Sequence, residues 1–315
     1  MSNQRRAPWG ASLVNNPDEM PSFKNAGLDW KVTLEPVYHR NAVGGFDETD
    51  HQYHVMRDDI KKPLGLVGRR YVPIQNKQLA DFTEDIIDTD NATIIGYGKI
   101  GSGERVYSVI KLDRSWEWDS DLDEKVDCYL FITNTHDGSS AFRATVFPMR
   151  LACTNGMRVT MQQAVRSWSI RHSGTVETKV WEAKKSLGLL NQYFDAFEKE
   201  VIETTISYRL GKGTMYKAED ILKMLFPYDE DEHGQRYVTT QKEKIAGVLS
   251  VYNNADNLNN IRGTGWGLLN AVAEWEQWHK DYRKAYRNDR ARYHVEQVTS
   301  DRGTQLVDHA YSLLK

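Results

Sequence analysis

The sequence has very few of the residues that build covalent or metal-stabilised scaffolds. Only two of its 315 residues are cysteines, and Cys128 and Cys153 both lie inside apolar runs. Neither a CxxC pair nor a set of cysteine and histidine ligands accompanies them. A disulfide framework and a structural zinc site are therefore not indicated, because both need ligands at regular spacing. We expect no metal and no cofactor, and a reducing cytoplasm fits this cysteine usage.

Long apolar runs and a strong charge of one sign are also missing. No segment approaches the roughly 20 apolar residues of a membrane-spanning helix, and the polar residues 2–6 (SNQRR) are not followed by the apolar core of a signal peptide. The 41 Lys and Arg residues nearly balance the 44 Asp and Glu residues. We therefore expect a protein that does not enter membranes, and any anion-binding site must be a local patch.

Two nucleotide-binding motifs are absent or unsupported. No GxxxxGK[ST] sequence occurs, which argues against ATP-driven work by a P-loop. Residues 96–101 (GYGKIG) match the dinucleotide pattern GxGxxG, but that pattern requires a helix directly after the glycines. Residues 104–112 alternate as a strand instead. We therefore predict a glycine-rich β-hairpin at this position.

Local sequence patterns divide the chain into three parts. Residues 1–22 are predicted to form a flexible N-terminal arm without a core of its own. Residues 23–176 have mostly strand and turn patterns, whereas residues 177–315 have helical periodicity, beginning with an apolar stripe from Trp181 to Val201. The sequence therefore predicts an α+β fold, with an antiparallel β-rich N-terminal core domain and a helical C-terminal region.

Local patterns place the individual elements. Residues 53–57 are predicted to pair with residues 65–67, ahead of a helix over residues 76–88. Strands are predicted near residues 93–98, 104–112 and 126–134, and helices near residues 217–225, 239–252, 264–288 and 302–314.

Residues 134–140 (NTHDGSS) place a histidine, an aspartate and two serines side by side. The preceding segment alternates, with Val126, Cys128, Leu130 and Ile132 on one face and Tyr129, Phe131 and Thr133 on the other. The following segment alternates too, and Asp-Gly supplies the positive-φ residue of a tight turn. We predict that these residues close a β-hairpin.

An active site at the same turn is the alternative. A metal-dependent hydrolase or nuclease would need His136 and His172 within hydrogen-bonding reach of a shared water or metal. The alternative catalytic cluster comprises Asn134, His136, Asp137 and His172. Under the hairpin interpretation no residue is catalytic.

The segment after the turn carries a local excess of positive charge. Residues 138–176 contain no acidic residue, and aromatic side chains lie between their arginines. This combination is typical of proteins that bind phosphates and stack unpaired bases. We predict nucleic-acid contacts from Arg143, Arg150, Arg158, Arg166, Arg171 and Lys179, with base stacking on Trp168. The alternative is that the arginines pair with the acidic residues 113–127 and only stabilise the fold.

A second aromatic and basic stripe lies further along the chain. Trp275, Trp278, Tyr282 and Tyr286 recur at three- and four-residue spacing beside lysines and arginines. Such a stripe is typical of a packing seam with a solvated flank, so we predict helix or subunit packing. Binding of a host protein through this stripe is a further possibility.

Several motifs are shared with a known family. They are residues 26–32 (AGLDWKV), 64–68 (LGLVG), 71–76 (YVPIQN), 134–139 (NTHDGS), 148–155 (PMRLACTN), 170–172 (IRH) and 263–271 (GTGWGLLNA). Together they resemble the phage/plasmid-like protein family with a domain of unknown function numbered 932, over nearly the whole chain after the arm. Members are encoded by phages and mobile elements, and some are described as similar to the RecT and Red-beta single-strand annealing proteins. That similarity carries no catalytic residues to transfer.

The resemblance and the arginines together predict the function. We expect a phage-encoded, RecT-like recombination protein that binds and anneals single-stranded DNA without ATP and without bond chemistry. Its expected partners are single-stranded DNA, further copies of itself in a homo-oligomer, and host or phage replication proteins. The expected location is the cytoplasm of the host cell, and the helices after residue 177 are expected to pack subunits together.

Overall fold

The structure is a computed structural model. It describes residues 21–90, 92–118, 124–150, 167–173, 195–202, 205, 206, 208, 210, 217–280, 293 and 305–314. Nearly all of the predicted N-terminal arm and the predicted domain boundary at residues 176 and 177 lie outside these ranges.

The first sheet is a three-stranded antiparallel meander. Its strands are β1 (Val32–Arg40), β2 (Phe46–Arg57) and β3 (Lys62–Gly68), in that order. β3 pairs with residues 52–57 of β2 only, and Tyr53 lies opposite Val67, which confirms the predicted pairing. The distal parts of β1 and β2 therefore extend beyond the third strand as a two-stranded ribbon.

The second sheet has five antiparallel strands in chain order. They are β4 (Thr93–Ile100), β5 (Arg105–Trp118), β6 (Glu124–Thr135), β7 (Phe142–Arg150) and β8 (Ser167–Ile170). The predicted strands near 93–98, 104–112 and 126–134 are confirmed. Gly101 and Gly103 have φ values of +60° and +113° in the β4–β5 connection, so the GxGxxG match belongs to a hairpin and not to a nucleotide-binding loop.

The two faces of the five-stranded sheet contribute to separate apolar clusters. Cys128 and Leu130 of β6 belong to the large cluster, whereas Phe131 belongs to a smaller one with Tyr107 and Val109 of β5. This confirms the alternation read from the sequence. Helix α1 (Asn76–Asp90) packs on the face of the large cluster.

The C-terminal part is helical. The α-helices whose bounds the structure describes there are α2 (Ala218–Leu225), α3 (Gln235–Asn254), α4 (Gly265–Glu274) and α5 (Gln305–Leu314). A π-helical segment spans Phe197–Ile202, a 3-10 turn spans Asp256–Leu258, and a π-helical turn, Trp275–His279, continues α4. The helix predicted over 264–288 therefore changes its hydrogen bonding after residue 274, and residues 281–288 lie outside the described residues.

Helix α4 lies in the centre of the molecule. All ten of its residues are buried, including the polar residues Asn270 and Glu274, and the other eight are glycine or apolar. The Thr264 side chain caps its first turn by accepting a hydrogen bond from the Gly267 backbone at 3.0 Å. A Cβ at Gly267 would lie 2.3 Å from the Ile261 carbonyl oxygen, so only glycine fits this approach.

One apolar cluster joins the sheets to the helices. Its buried members range from Ala26, ahead of β1, to Leu314, at the end of α5. Antiparallel sheets in the N-terminal and central regions with helices in the C-terminal part confirm the predicted α+β class. Among the described residues, no helix combines the length and the apolar character needed to cross a bilayer.

Candidate functional site

The NTHDGSS turn closes the β6–β7 hairpin and touches the other sheet. Thr133 lies opposite Arg143 in the ladder, so the predicted hairpin is confirmed. The Asp137 carboxylate accepts hydrogen bonds from the backbone and hydroxyl of Ser139 at 2.9 and 2.6 Å. A Cβ at Gly65 of β3 would lie 2.4 Å from the Cα of Asp137. We call this contact between the turn and β3 the sheet junction.

His136 is buried at the sheet junction in a defined tautomer. The amide nitrogen of Asn76 donates to the carbonyls of Leu28 and Trp30 at 3.1 and 3.4 Å, so its amide oxygen faces the His136 ring. The Nε2 atom of His136 lies 2.7 Å from that oxygen and must carry the hydrogen. In the neutral ring Nδ1 is therefore left with a free lone pair.

His172 lies beside the same turn. Its ring stacks on Tyr71 with centroids 4.7 Å apart and planes at 13°, and the Tyr71 hydroxyl donates to the Thr135 carbonyl at 2.9 Å. The backbone nitrogen of Val72 donates to the His172 carbonyl at 2.9 Å. Two loops a hundred residues apart in sequence are thereby held against the turn.

Burial keeps both imidazoles neutral. It lowers the pKa of His136 to about 3, with a further lowering from His172. Burial also lowers the pKa of His172 to about 4, although the Val72 backbone and the Asp137 carboxylate offset part of the shift. Burial raises the pKa of Tyr71, and Asp137 raises it further. The charged forms of all three rings are disfavoured at neutral pH.

Several buried polar atoms of this region have no hydrogen-bond partner among the described residues. They are Trp30 Nε1, Asn134 Oδ1, His136 Nδ1 and both ring nitrogens of His172. The Val72 backbone raises the pKa of the His172 imidazole, although the hydrogen bond between the two residues joins their backbones and not the ring. The Trp30 ring meets His136 edge-on at 5.3 Å. Buried atoms of this kind usually bind water or a ligand.

The predicted alternative cluster is thus partly assembled. Asn134 and His136 are fully buried, and Asn134 donates to the Ile74 carbonyl at 2.7 Å. Asp137 is instead partly exposed and bonded to Ser139. In the part of the chain that the structure describes, no group of three or more His, Cys, Asp or Glu side chains is placed to hold a metal ion.

Arg150 does not lie on a phosphate-binding surface. Its guanidinium is 2% exposed and forms a two-pronged ion pair with Glu124, in which Nη2 lies 2.7 Å from Oε2. The same Glu124 carboxylate accepts from Trp266 and Asn260 at 2.9 and 3.0 Å, and Arg150 donates to the Asn257 carbonyl at 3.0 Å. Its predicted role as a DNA contact is therefore corrected, and pairing with the acidic segment is the interpretation that holds for Arg150.

Among the other predicted DNA contacts that the structure describes, Arg143 and Trp168 do not lie on one surface. Arg143 lies opposite Thr133 and Ser169, whereas Trp168 lies opposite Ala144 on the other face of the sheet. The Trp168 ring packs against Phe82 and Phe142, with centroids 6.2 and 6.4 Å apart. Arg171 is exposed, and Arg158, Arg166 and Lys179 lie outside the described residues.

Two exposed arginines near His172 were missed from the sequence. Arg69 and Arg70 follow β3 and precede Tyr71, the residue that stacks on His172. We call Arg69, Arg70 and Arg171 the arginine rim. Two adjacent arginines after a predicted strand could have been recognised in the sequence as a basic pair. Their proximity to Arg171 could not, because it depends on the contact between residues 72 and 172.

The family comparison agrees with the motifs that the site contains. The sequence profile of a family described as a domain of unknown function (DUF932) matches residues 63–298, which is more than half of the chain. The chain belongs to the DUF932 family. No curated protein and no solved structure matches it.

The DUF932 match covers most of the features described above. It begins within β3, so the arginine rim, the NTHDGSS turn and His172 lie inside it, whereas β1, β2 and helix α5 lie outside. The resemblance of residues 26–32 to the family falls before the matched region.

The first residue of the aromatic stripe of this DUF932 protein, Trp275, packs inside the chain. Trp275 is 8% exposed and meets Phe226 edge-on at 5.9 Å. A Cβ at Gly247 of α3 would lie 2.4 Å from the Trp275 Nε1 atom. Helix packing is confirmed for Trp275, and Tyr282 and Tyr286 lie outside the described residues.

Proposed function

We propose that this DUF932 protein binds single-stranded DNA through the arginine rim and anneals complementary strands without ATP, in the cytoplasm of a host cell. The observation that carries the proposal is the exposure of three arginines on two loops that are held together by the Val72–His172 hydrogen bond. Guanidinium groups on neighbouring loops suit a chain of phosphates, because each can bind two phosphate oxygens.

The aromatic stack at the rim supports a single-stranded substrate. Tyr71 is only partly buried and is held flat against His172. Aromatic rings next to a basic surface stack unpaired bases and tolerate any sequence. The Asp137 carboxylate is the opposing charge in this neighbourhood, and its hydrogen bonds to Ser139 hold it in the turn.

Fluorescence anisotropy of a labelled single-stranded oligonucleotide tests the proposal. If the three rim arginines each neutralise a phosphate, log K falls with log[salt] with a slope of about −2, from about −0.7 per contact. Each of the variants Arg69→Gln, Arg70→Gln and Arg171→Gln should weaken binding and reduce the slope by about 0.7. Adding the complementary strand should then give faster duplex formation than in the protein's absence.

Arg236→Gln is the matched control, because Arg236 is exposed on α3 and away from the rim loops in sequence. It should leave affinity and slope unchanged. No binding at low salt, or equal effects of the rim and control variants, would rule the rim out as the DNA site.

Self-association and contacts with other replication proteins belong to the same proposal. The ribbon exposes Tyr38, Val43 and Phe46, which are 58%, 92% and 71% exposed. Large apolar side chains grouped on one projecting element are typical of contact surfaces between proteins. Light scattering should show species larger than the 36.3 kDa chain, and a monomer at every concentration would contradict self-association.

Partners other than this chain should be recovered from nuclease-treated host lysate with the intact protein but not with a Phe46→Ser variant.

Hydrolysis at the sheet junction is a second candidate function. The observation in its favour is the free lone pair on His136 Nδ1, held in place by Asn76, because a neutral imidazole with a free lone pair can bind a metal ion. Cleavage of labelled DNA with magnesium or manganese, abolished by His136→Gln, would support it. Intact DNA together with no bound metal by mass spectrometry would exclude it.

A further inference from the structure

The ribbon formed by the distal parts of β1 and β2 leaves the first sheet at an irregular point. The register between the two strands shifts between Pro36 and Tyr38, and His51 of β2 has a φ value of +61°, which is uncommon for a residue other than glycine. Irregularities of this kind bend a strand and increase its twist. The ribbon is therefore not a straight continuation of the three-stranded sheet.

One face of the ribbon combines aromatic rings with charged groups. Tyr38 lies opposite Glu48, and Arg40 lies opposite Phe46. These four side chains share a face, because cross-strand partners point the same way and so do residues two apart in a strand. Tyr38 and Phe46 are both more than half exposed. Exposed aromatic rings are enriched in surfaces that bind other proteins.

The ribbon is acidic, and its carboxylates have no cationic partner in the part of the chain that the structure describes. Residues 32–52 contain four carboxylates and one arginine. None of these carboxylates takes part in an ion pair with a described residue. They belong to Glu35, Asp47, Glu48 and Asp50. The ribbon therefore presents a negative surface to a second molecule.

The arginine rim is a surface of the opposite charge. Its three arginines are exposed, and none forms an ion pair with a described residue. Asp137 lies in the same neighbourhood, but the arginines outnumber it and it accepts hydrogen bonds from Ser139. Two apolar side chains precede and follow the pair at residues 69 and 70, namely Leu66 and Val72, which are 51% and 37% exposed. The rim therefore matches the ribbon in charge and in apolar character.

We propose that the ribbon of one copy docks on the arginine rim of a second copy. Tyr38 and Phe46 lie against Leu66 and Val72 in this contact, and the ribbon carboxylates lie against the arginines. Within one chain the ribbon extends beyond the end of β3, so its exposed charges are offered to another copy. The inference rests on the proposed function in one respect: the rim is also the DNA site, so self-association and binding of single-stranded DNA exclude each other.

A charge exchange tests the contact, with self-association of the full chain measured by analytical ultracentrifugation at low salt. Glu48→Lys and Arg70→Glu should each weaken self-association about tenfold, because an attraction between exposed charges becomes a repulsion. The double variant carries both changes in every copy. It should recover most of the loss, because the two reversed charges attract each other again.

Glu232→Lys and Arg236→Glu are the matched controls. They make the same changes of charge at exposed positions just before and within α3, away from the ribbon and the rim in sequence. Both should leave self-association unchanged, and all variants should keep the native circular dichroism spectrum. A monomer at every concentration, equal effects of the control variants, or no recovery in the double variant would overturn the contact.

A short single-stranded oligonucleotide tests the competition. At protein concentrations at which the native chain self-associates, the oligonucleotide should dissociate the complex between copies, and Glu48→Lys should bind it more tightly than the native chain. Binding that leaves self-association unchanged would overturn the competition. An absence of oligonucleotide binding would instead remove the proposed DNA function, and the charge exchange would still decide the contact between copies.

Discussion

Asn76 connects three segments through one buried amide. Its side-chain nitrogen donates hydrogen bonds to two backbone carbonyls ahead of β1, and its side-chain oxygen accepts one from His136. Replacing it by alanine leaves a buried N–H and two carbonyls without partners. We expect Asn76→Ala to lower the free energy of unfolding by about 3 kcal/mol, measured by urea denaturation.

Asn254→Ala is the comparison for this change, because Asn254 is exposed and its side chain bonds only to the Ser250 carbonyl one turn earlier in α3. Its effect should stay within about 0.5 kcal/mol. Equal losses in the two variants would contradict the connecting role of Asn76.

His136 and His172 make stability depend on pH in one direction. Burial lowers the folded-state pKa values to about 3 and about 4, below the ordinary value of 6.5. The unfolded chain therefore binds more protons as the pH falls below 6.5. The stabilisation is fully present above that pH and is lost as the pH falls toward the folded pKa values. Between pH 8 and pH 5 we expect a loss of about 2 kcal/mol for each imidazole.

Urea unfolding at the two pH values measures this loss. His172→Gln should remove about half of the pH-dependent part, because one of the two buried imidazoles is gone. His39→Gln serves as the control, since His39 is exposed on β1. A pH dependence that is the same in all three proteins would show that other groups cause it.

Gly65 makes the close approach of β3 to the NTHDGSS turn possible. A Cβ there would lie 2.4 Å from Asp137 Cα and 2.8 Å from its carbonyl carbon, and backbone atoms cannot rotate away as a side chain can. We expect Gly65→Ala to destabilise the fold by about 3 kcal/mol in urea unfolding. Gly68→Ala in the same strand meets its nearest neighbour at 3.9 Å and should cost less than about 1 kcal/mol. Similar costs would argue against a tight sheet junction.

The strands illustrate what periodicity alone can predict. The alternation of Leu130 and Phe131 placed them correctly on opposite faces of β6. The same rule places Arg143 and Arg150 on opposite faces of β7. They are seven positions apart, and side chains an odd number of positions apart in a strand point to opposite faces. Treating the arginines as one patch overlooked that rule. Pairing with the acidic residues 113–127 was the alternative prediction for Arg150, but the choice of Glu124 within that segment could not be predicted, since it depends on the register that sets Val126 opposite Arg150.

The sheet junction was harder to predict from sequence. The NTHDGSS turn was recognised from its Asp-Gly pair and flanking alternation, which are local signals. Its contacts with Asn76 and Gly65 join segments about sixty or more residues apart. Nothing in a single sequence specifies such contacts. The arginine rim was missed for the same reason.

The buried pair of Arg150 and Glu124 ties the five-stranded sheet to the helices. Its partners Asn257, Asn260 and Trp266 come from the 3-10 turn, the segment after it and α4. Replacing one member leaves an uncompensated buried charge, so Arg150→Met should lower the free energy of unfolding by about 3 to 5 kcal/mol. Adding Glu124→Leu to that variant should recover part of the loss.

The continuous apolar cluster predicts that the sheets and the helices unfold in a single transition. Far-ultraviolet circular dichroism and tryptophan fluorescence should give coincident urea transitions in the native chain and in Arg150→Met, because the sheets and helices share one core. A helical transition separated from the sheet transition in the native chain would show two independent units.

The chain-order arrangement of the five-stranded sheet has a consequence for synthesis on the ribosome. Each strand from β5 to β8 pairs with the strand made just before it, so every ladder closes a short loop and can form early. Trp266 and Asn260, which complete the bonds of Glu124, are made more than a hundred residues after it. A nascent chain that ends before α4 therefore has the Glu124–Arg150 pair without the Trp266 side chain that bonds to Glu124. We expect chaperones to bind this uncovered face until α4 has been synthesised.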